Sequence, residues 1–171
     1  EKQTDPDGSA EDFGFTTSYG APFSLTDGQQ NNSGGLVPTS LSSTYSVAED
    51  AEAGWDLTSA VCSDGSPADA IDLAAGETVT CVFTNTIQRG NIIVEKQTDP
   101  DGSTEDFGFT TNYGSPFSLT DGQQSDSGPL LPTSENGTYS VAEDAEAGWD
   151  LTSAVCSDGS PAAATDPAPA E

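Results

Sequence analysis

The sequence predicts an all-β protein built from two tandem β-sandwich domains, and three features of the chain indicate this. A block of sequence returns without insertion after 94 residues, with 62 of the 77 residues of 1–77 repeated in 95–171. Within each block, apolar and polar residues alternate with the period of two that half-buried strands show. Asp-Gly, Gly-Gly and Pro turn signals separate these short runs.

The repeat sets the domain organisation. Its length suits one small sandwich domain, so we expect one domain at 1–90 and a second at 91–171. Segment 78–94 has no second copy in this sequence. We therefore expect the second domain to lack its last strand in this chain. Either the sequence is part of a longer array of such repeats, or another molecule or domain supplies the missing strand.

The candidate strands are recognised by residues that share one face at a spacing of two. No segment carries a helical stripe, and the Ala/Glu-rich stretch before Trp55 is interpreted as a turn. The alternating sets, in order, are Phe13 and Phe15; Tyr45, Val47 and Glu49; Trp55, Leu57, Ser59 and Val61; Val79, Cys81, Phe83 and Asn85; and Ile92, Val94 and Lys96.

The charge of the chain excludes several classes of function. With 29 acidic residues, three basic residues and no His, the net charge is −26. Such a chain lacks the cations that nucleic-acid phosphates and anionic membranes require. No apolar stretch is long enough for direct membrane insertion. The absence of His weakens an enzymatic interpretation. The acidity itself fits either a surface hydrated at high salt or carboxylates that collect divalent cations.

The three cysteines favour one disulfide. Cys62 and Cys81 are separated by 19 residues, and closing a loop of this size stabilises a domain by about 3 kcal/mol. Cys156 repeats Cys62, but the equivalent of Cys81 falls in the segment without a second copy. We predict a Cys62–Cys81 disulfide and an exterior location. The alternative is a pair of free, buried thiols in a reducing cytosol.

Several motifs resemble a known family. The most specific are Tyr-x-Val-x-Glu…Gly-Trp at 45–55 and Cys-Val-Phe-Thr-Asn-Thr at 81–86. Their order resembles that of prealbumin-like surface repeats, relatives of the B-type repeats of collagen adhesins and of pilin shaft domains. The resemblance implies extracellular, prealbumin-like or immunoglobulin-like sandwiches of about seven strands. It also implies use in tandem as a stalk, spacer or fibre shaft on the cell surface, with neighbouring repeats or identical subunits as partners.

The resemblance further implies a spontaneous Lys–Asn isopeptide bond assisted by a buried acid. The alternation places Lys2, Glu49 and Asn85 each on an inward-facing strand position, and one hypothesis is therefore a Lys2–Asn85 cross-link with Glu49 as the proton relay. The alternative is a Lys2–Glu49 ion pair, with Asn85 satisfying the strand end. In the second copy, Lys96 and Glu143 are present, but the matching Asn would lie beyond Glu171.

Other candidate sites are weaker. The Asp-Pro-Asp-Gly motifs fit calcium ligands or ordinary turns, and they lack the acidic residue that completes an EF-hand loop. Two Asn-x-Ser/Thr sequons are compatible with glycosylation of a secreted protein. The calcium candidates are Asp5, Asp7, Asp99 and Asp101, and the glycosylation candidates are Asn31 and Asn136.

A carbohydrate platform is the remaining possibility for a ligand site. Trp55 alternates with apolar residues and is expected in the core, whereas Tyr19 and Tyr113 lie in Gly-rich turns and are the better candidates for exposed rings. The sequence therefore predicts a non-enzymatic structural repeat without a cofactor. The alternatives are a filament subunit assembled by strand complementation, and a calcium- or carbohydrate-binding surface module.

Overall fold

A computed structural model of the chain describes residues 1–160, apart from the side chains of residues 135 and 136. The chain divides into two compact units: unit 1 is Glu1–Gln88, and unit 2 begins at Arg89. The described helices are a 3-10 turn at Thr39–Leu41 and a single turn, α1, at Thr133–Asn136. None of the helices in residues 1–160 has the length and apolar character needed to span a membrane.

The strands are short and bounded by turns. Unit 1 contains β1 (Lys2–Asp5), β2 (Phe13–Thr17), β3 (Phe23–Leu25), β4 (Val47–Glu49), β5 (Trp55–Cys62) and β6 (Cys81–Ile87). Unit 2 contains β7 (Ile93–Glu95), β8 (Phe107–Thr111), β9 (Phe117–Leu119), β10 (Gln124–Asp126) and β11 (Val141–Glu143).

Unit 1 is a sandwich of two three-stranded sheets. One has the order β1-β6-β5 and the other the order β3-β2-β4. Rings from the two sheets meet edge to face between them, with centroids 5.4 Å apart for Phe13 and Trp55 and 5.3 Å apart for Phe15 and Phe83. These aromatic contacts give the small core its largest buried surfaces. The all-β sandwich prediction and the core position of Trp55 are confirmed.

The alternation predicted along β5 is wrong after its third residue. Trp55 and Cys62 are both buried, although seven residues apart they would lie on opposite faces of a regular strand. An irregularity in the pairing with β6 between Leu57 and Ser59 reverses the phase of the strand, as a β-bulge does. As a result, Val61 is 60% exposed rather than part of the core.

The phase reversal can be tested with the same substitution at two positions. Val61→Thr should change the free energy of unfolding by less than about 0.5 kcal/mol, because the side chain faces water. Val47→Thr should cost about 1–3 kcal/mol, because Val47 is 7% exposed and its replacement buries a hydroxyl. Urea unfolding of both variants measures the difference. Equal losses would show that Val61 is a core residue.

Unit 2 repeats one sheet of unit 1. Its three-stranded sheet, of order β11-β8-β9, matches β4-β2-β3, and Phe107, Phe109 and Leu119 form its buried core. β7 pairs with β10 in a separate two-stranded ribbon. Segments 96–99 and 149–156, which repeat β1 and β5, form no named strand. Among the described residues of unit 2, no strand corresponds to β6.

Candidate functional site

The candidate site of unit 1 lies where its first and last strands meet. β1 and β6 run parallel, with Lys2 opposite Phe83 and Thr4 opposite Asn85. Alternation along β1 buries Lys2 and Thr4 and exposes the residues between and after them. The same alternation along β6 buries Phe83, Asn85 and Ile87. Because side chains alternate between the two faces of each strand, the Lys2 ammonium and the Asn85 carboxamide both enter the core, from adjacent strands.

Three polar side chains form what we call the Lys2 cluster: Lys2, Glu49 and Asn85. Lys2 is 0% exposed and Asn85 is 2% exposed. Lys2 Nζ donates to Asn85 Oδ1 at 2.7 Å, and Asn85 Nδ2 donates to Glu49 Oε1 at 2.6 Å. Lys2 Nζ also lies 3.6 Å from Glu49 Oε2, an oxygen that accepts no hydrogen bond within the described part of the chain. The amide thus stands between the amine and the acid.

Burial drives both ionisable groups of the Lys2 cluster towards their neutral forms. It lowers the pKa of the Lys2 ammonium, against the opposing attraction of the Glu49 carboxylate. It also raises the pKa of the Glu49 carboxyl, against the hydrogen bond from Asn85 and the charge of Lys2. Lys2 Nζ lies over the face of the Phe13 ring, 3.8 Å from its centroid, and the ring forms an apolar wall of the cluster. A proton passed from Lys2 to Glu49 leaves a neutral amine in contact with a carboxamide.

The disulfide lies in the same sheet. Cys62 and Cys81 face each other across the β5–β6 ladder and are joined by an S–S bond. Their Cα atoms are 3.9 Å apart, and the bond closes 19 residues of sequence. Cys156, the repeat partner of Cys62, is an exposed free thiol. The cross-link predicted from the cysteine spacing is therefore present in unit 1.

Replacing both Cys62 and Cys81 by Ala should lower the free energy of unfolding of unit 1 by about 3 kcal/mol, because the unfolded chain regains the entropy of an open loop. The matched control is Cys156→Ala, which removes an exposed thiol and should change the free energy of unfolding by less than about 0.5 kcal/mol. Guanidinium unfolding measures both. A loss as large for Cys156→Ala as for the double variant would contradict the assignment.

In unit 2 the equivalent amine and acid are in direct contact. Lys96 Nζ lies 2.9 Å from Glu143 Oε1 and 3.0 Å from Glu143 Oε2. The Phe107 ring lies 4.0 Å from the same nitrogen, as Phe13 does in unit 1. No amide separates the two charges among the described residues. The sequence repeat thus preserves two members of the Lys2 cluster and its aromatic wall.

Comparison with known families identifies the fold. A family model described as a prealbumin-like fold domain matches residues 1–87 and again residues 92–171. The chain belongs to this family. No curated protein and no solved structure matches it. The resemblance drawn from the motifs is confirmed, and the two matches agree with tandem prealbumin-like sandwiches. Domains of this kind are typically structural, which makes the chain a pilin-like structural module with a disulfide.

Of the calcium candidates of these prealbumin-like units, Asp5 ends β1, Asp7 and Asp101 lie in turns, and Asp99 lies in a bend. Within residues 1–160, no group of three or more acidic, Cys or His residues is arranged to hold a metal ion. Asp27, which the sequence did not single out, organises the first turn instead. Its carboxylate accepts the backbone N–H of Thr4 at 2.6 Å and that of Gly8 at 2.9 Å. The signal for this role was the repeated Leu-Thr-Asp-Gly-Gln motif, because Asp121 accepts the equivalent bonds in unit 2.

The tyrosines proposed as exposed rings are half-buried. Tyr19 packs edge to face on Tyr45, with centroids 6.0 Å apart, and Tyr113 packs on Tyr139 at 5.9 Å. Burial raises the pKa of both Tyr19 and Tyr113. They are therefore packing residues of the prealbumin-like units, and the expectation of exposed rings is wrong.

Of the two sequon asparagines, the structure describes the side chain of Asn31 but not that of Asn136. Asn31 is exposed in a loop of unit 1 and is sterically open to glycosylation. The side chain of Asn136, the other candidate, lies outside the described part of the chain.

Proposed function

We propose that the chain is a load-bearing segment of an extracellular stalk, spacer or fibre shaft at a cell surface, and that a Lys2–Asn85 isopeptide bond locks unit 1. The observation that carries the proposal is the direct, parallel pairing of β1 with β6, the first and last strands of the unit. The Lys2 cluster spans this same pair of strands.

Parallel terminal strands resist tension well. A pull on the two ends of unit 1 draws β1 towards its N-terminal end and β6 towards its C-terminal end. Because the strands run in the same direction, this force slides one along the other and loads all their ladder hydrogen bonds together. A covalent bond between Lys2 and Asn85 would carry the force past the residues between them. This geometry suits a protein that must resist extension under tension.

The chemistry of the proposed bond is balanced without a cofactor. Lys2 gives a proton to Glu49, and the neutral Nζ attacks Cγ of Asn85. The new C–N bond forms as the bond from Cγ to Nδ2 breaks. Glu49 returns its proton to Nδ2, which departs as ammonia, and Glu49 takes up the excess proton of the new amide in its place. The 2.6 Å bond from Asn85 Nδ2 to Glu49 Oε1 supports this relay.

A cleft gives the ammonia a way out. It has a volume of about 300 Å³ and is lined by residues that include Glu49, Trp55 and Asn85. Asp50 and Glu52 also line it, so its walls attract the ammonium ion that forms in water. The reaction is made irreversible by this loss.

The disulfide and the charge support an exterior location. Disulfides persist in oxidising compartments, and unit 1 joins Cys62 to Cys81. A net charge of −26 keeps extended arrays soluble. Both features suit a secreted or surface-anchored module better than a cytosolic one.

Intact-mass measurement tests the isopeptide bond. After allowance for the disulfide, the folded chain should be about 17 Da lighter than its sequence, the mass of one ammonia. Lys2→Met and Asn85→Ala should each abolish this deficit, and Glu49→Gln should slow its appearance. Lys96→Met is the matched control and should keep the deficit. A full sequence mass in the folded wild-type chain would refute the cross-link.

Force spectroscopy tests the load-bearing role. The chain is held at both ends of unit 1 in a reductant, so that the disulfide does not shorten the released length. Lys2→Met should release up to about 290 Å, because 83 residues separate Lys2 from Asn85 and each extends by about 3.5 Å. The wild-type unit should release almost none of this. Equal extension in the two proteins would argue against a locked unit.

A further inference from the structure

We propose that the peptide bond between Arg89 and Gly90 is a proteolytic site, at which an arginine-specific endoprotease cuts the folded chain once. The partner is defined by its chemistry: its specificity pocket ends in a carboxylate, which pairs with a guanidinium. The bond lies where the chain passes from unit 1, which ends at Gln88, to unit 2, which begins at Arg89. The proposal does not depend on the isopeptide chemistry proposed above.

The three basic residues of the chain differ in what a protease can reach. Lys2 is 0% exposed and Lys96 is 8% exposed, whereas Arg89 is an exposed residue. Lys2 Nζ donates to Asn85 Oδ1, and Lys96 Nζ is paired with Glu143. Neither ammonium can enter the pocket of another protein without first leaving the core. Arg89 is therefore the basic side chain that such a pocket can take up from the folded chain.

The backbone at these three residues shows the same contrast. Lys2 is held by backbone hydrogen bonds of 3.0 Å and 2.9 Å to segment 28–29, and Lys96 by bonds of 3.1 Å and 2.8 Å to segment 122–123. Within residues 1–160, Arg89 forms neither a hydrogen bond nor an ion pair, through its backbone or its guanidinium. The Arg89 peptide group can therefore adopt the extended form that a protease binds without breaking bonds of its own.

The contacts on either side of Arg89 hold each part of the chain to its own unit. Gln88 N donates to Gly54 O at 2.8 Å in unit 1, and Gly90 N donates to Leu130 O at 3.1 Å in unit 2. The segment that must open for a protease is short, so its opening is a local event and not the unfolding of a unit. A Cβ at Gly90 would meet no atom within 4 Å, which leaves room for a protease to approach the bond.

The charge of the surrounding segment also suits a pocket that carries a carboxylate. The net charge of the chain is −26, but segment 78–94 contains Arg89 and no acidic residue. Asp56, which reaches this segment from β5, accepts a hydrogen bond from the Gln88 side chain at 2.7 Å and forms no ion pair with Arg89. A negatively charged pocket thus meets a cation among neutral residues here, whereas the acidic remainder of the surface repels it.

The reaction is a hydrolysis in which water is the co-reactant. The bond between the Arg89 carbonyl carbon and the Gly90 nitrogen breaks, the carbon gains the hydroxyl of water, and the nitrogen gains its hydrogen. The Cys62–Cys81 disulfide and the Lys2 cluster both lie within 1–88, so the cut leaves them in one fragment. A single cut would therefore release any load that the chain carries from one unit to the next, while unit 1 stays closed.

Limited digestion of the full folded chain with trypsin, at a low ratio of protease to substrate, tests the site. Mass spectrometry should find fragments 1–89 and 90–171, whose masses add up to that of the chain plus one water. Cleavage after Lys2 or Lys96 should be at least about tenfold slower, because it requires opening of the core. Arg89→Gln should remove the first cut. The reduced chain in urea should be cut after both Arg89 and Lys96, which shows that trypsin recognises both sequences once they are accessible.

Arg89→Lys is the matched variant. A lysine-specific endoprotease should leave the folded wild-type chain intact and should cut the folded variant after position 89. A first tryptic cut after Lys96, a folded wild-type chain that trypsin leaves whole, or a folded Arg89→Lys chain that resists the lysine-specific protease would each overturn the proposal. None of these readouts uses the mass deficit of unit 1, so a failure of the isopeptide chemistry leaves this test unaffected.

Discussion

The burial of an amine between the first and last strands is the constraint on which unit 1 depends. A charged lysine has no place in a core of aromatic rings unless its charge is paired or removed. The Lys2 cluster does both, since Glu49 supplies a counter-charge and burial favours the neutral forms of the two groups. The carboxamide of Asn85 completes the arrangement because it can accept from the amine and donate to the acid. The cost of burying the amine is thus offset by its contacts with an acid and an amide.

The two units show how much of this arrangement a single strand provides. Unit 1 contains β6, and around it β1 and β5 form a sheet and two cysteines are joined. Unit 2 has nearly the same sequence but no described counterpart of β6, and its described strands form the sheet built on β8 and the β7–β10 ribbon. Sheet pairing is cooperative in this sense: edge segments as short as four residues gain order from a neighbour that they cannot supply themselves. The central strand organises both covalent and non-covalent contacts.

Much of the fold could be predicted from the sequence because the strand period is strict where strands are regular. The alternation around Lys2, Glu49 and Asn85 was sufficient to place all three inside, and the Cys62–Cys81 pair followed from spacing. The alternation failed at Val61, because a bulge depends on ladder geometry that has no mark in the sequence. It also failed for Tyr19, because a Gly-rich turn indicates a bend in the backbone and not which ring packs above it. The role of Asp27 required the partner N–H groups, which come from a distant segment.

The solvent exposure of the three basic residues has a consequence for how closely two copies of the chain can approach each other. Lys2 and Lys96 are buried, which leaves Arg89 as the only basic side chain that meets water. The surface is therefore almost purely anionic, and two copies lying side by side have no complementary patches with which to neutralise each other. They repel over about 8 Å at physiological ionic strength. The distance between neighbouring copies should therefore respond to salt, and their close contact would require a screening or bridging cation.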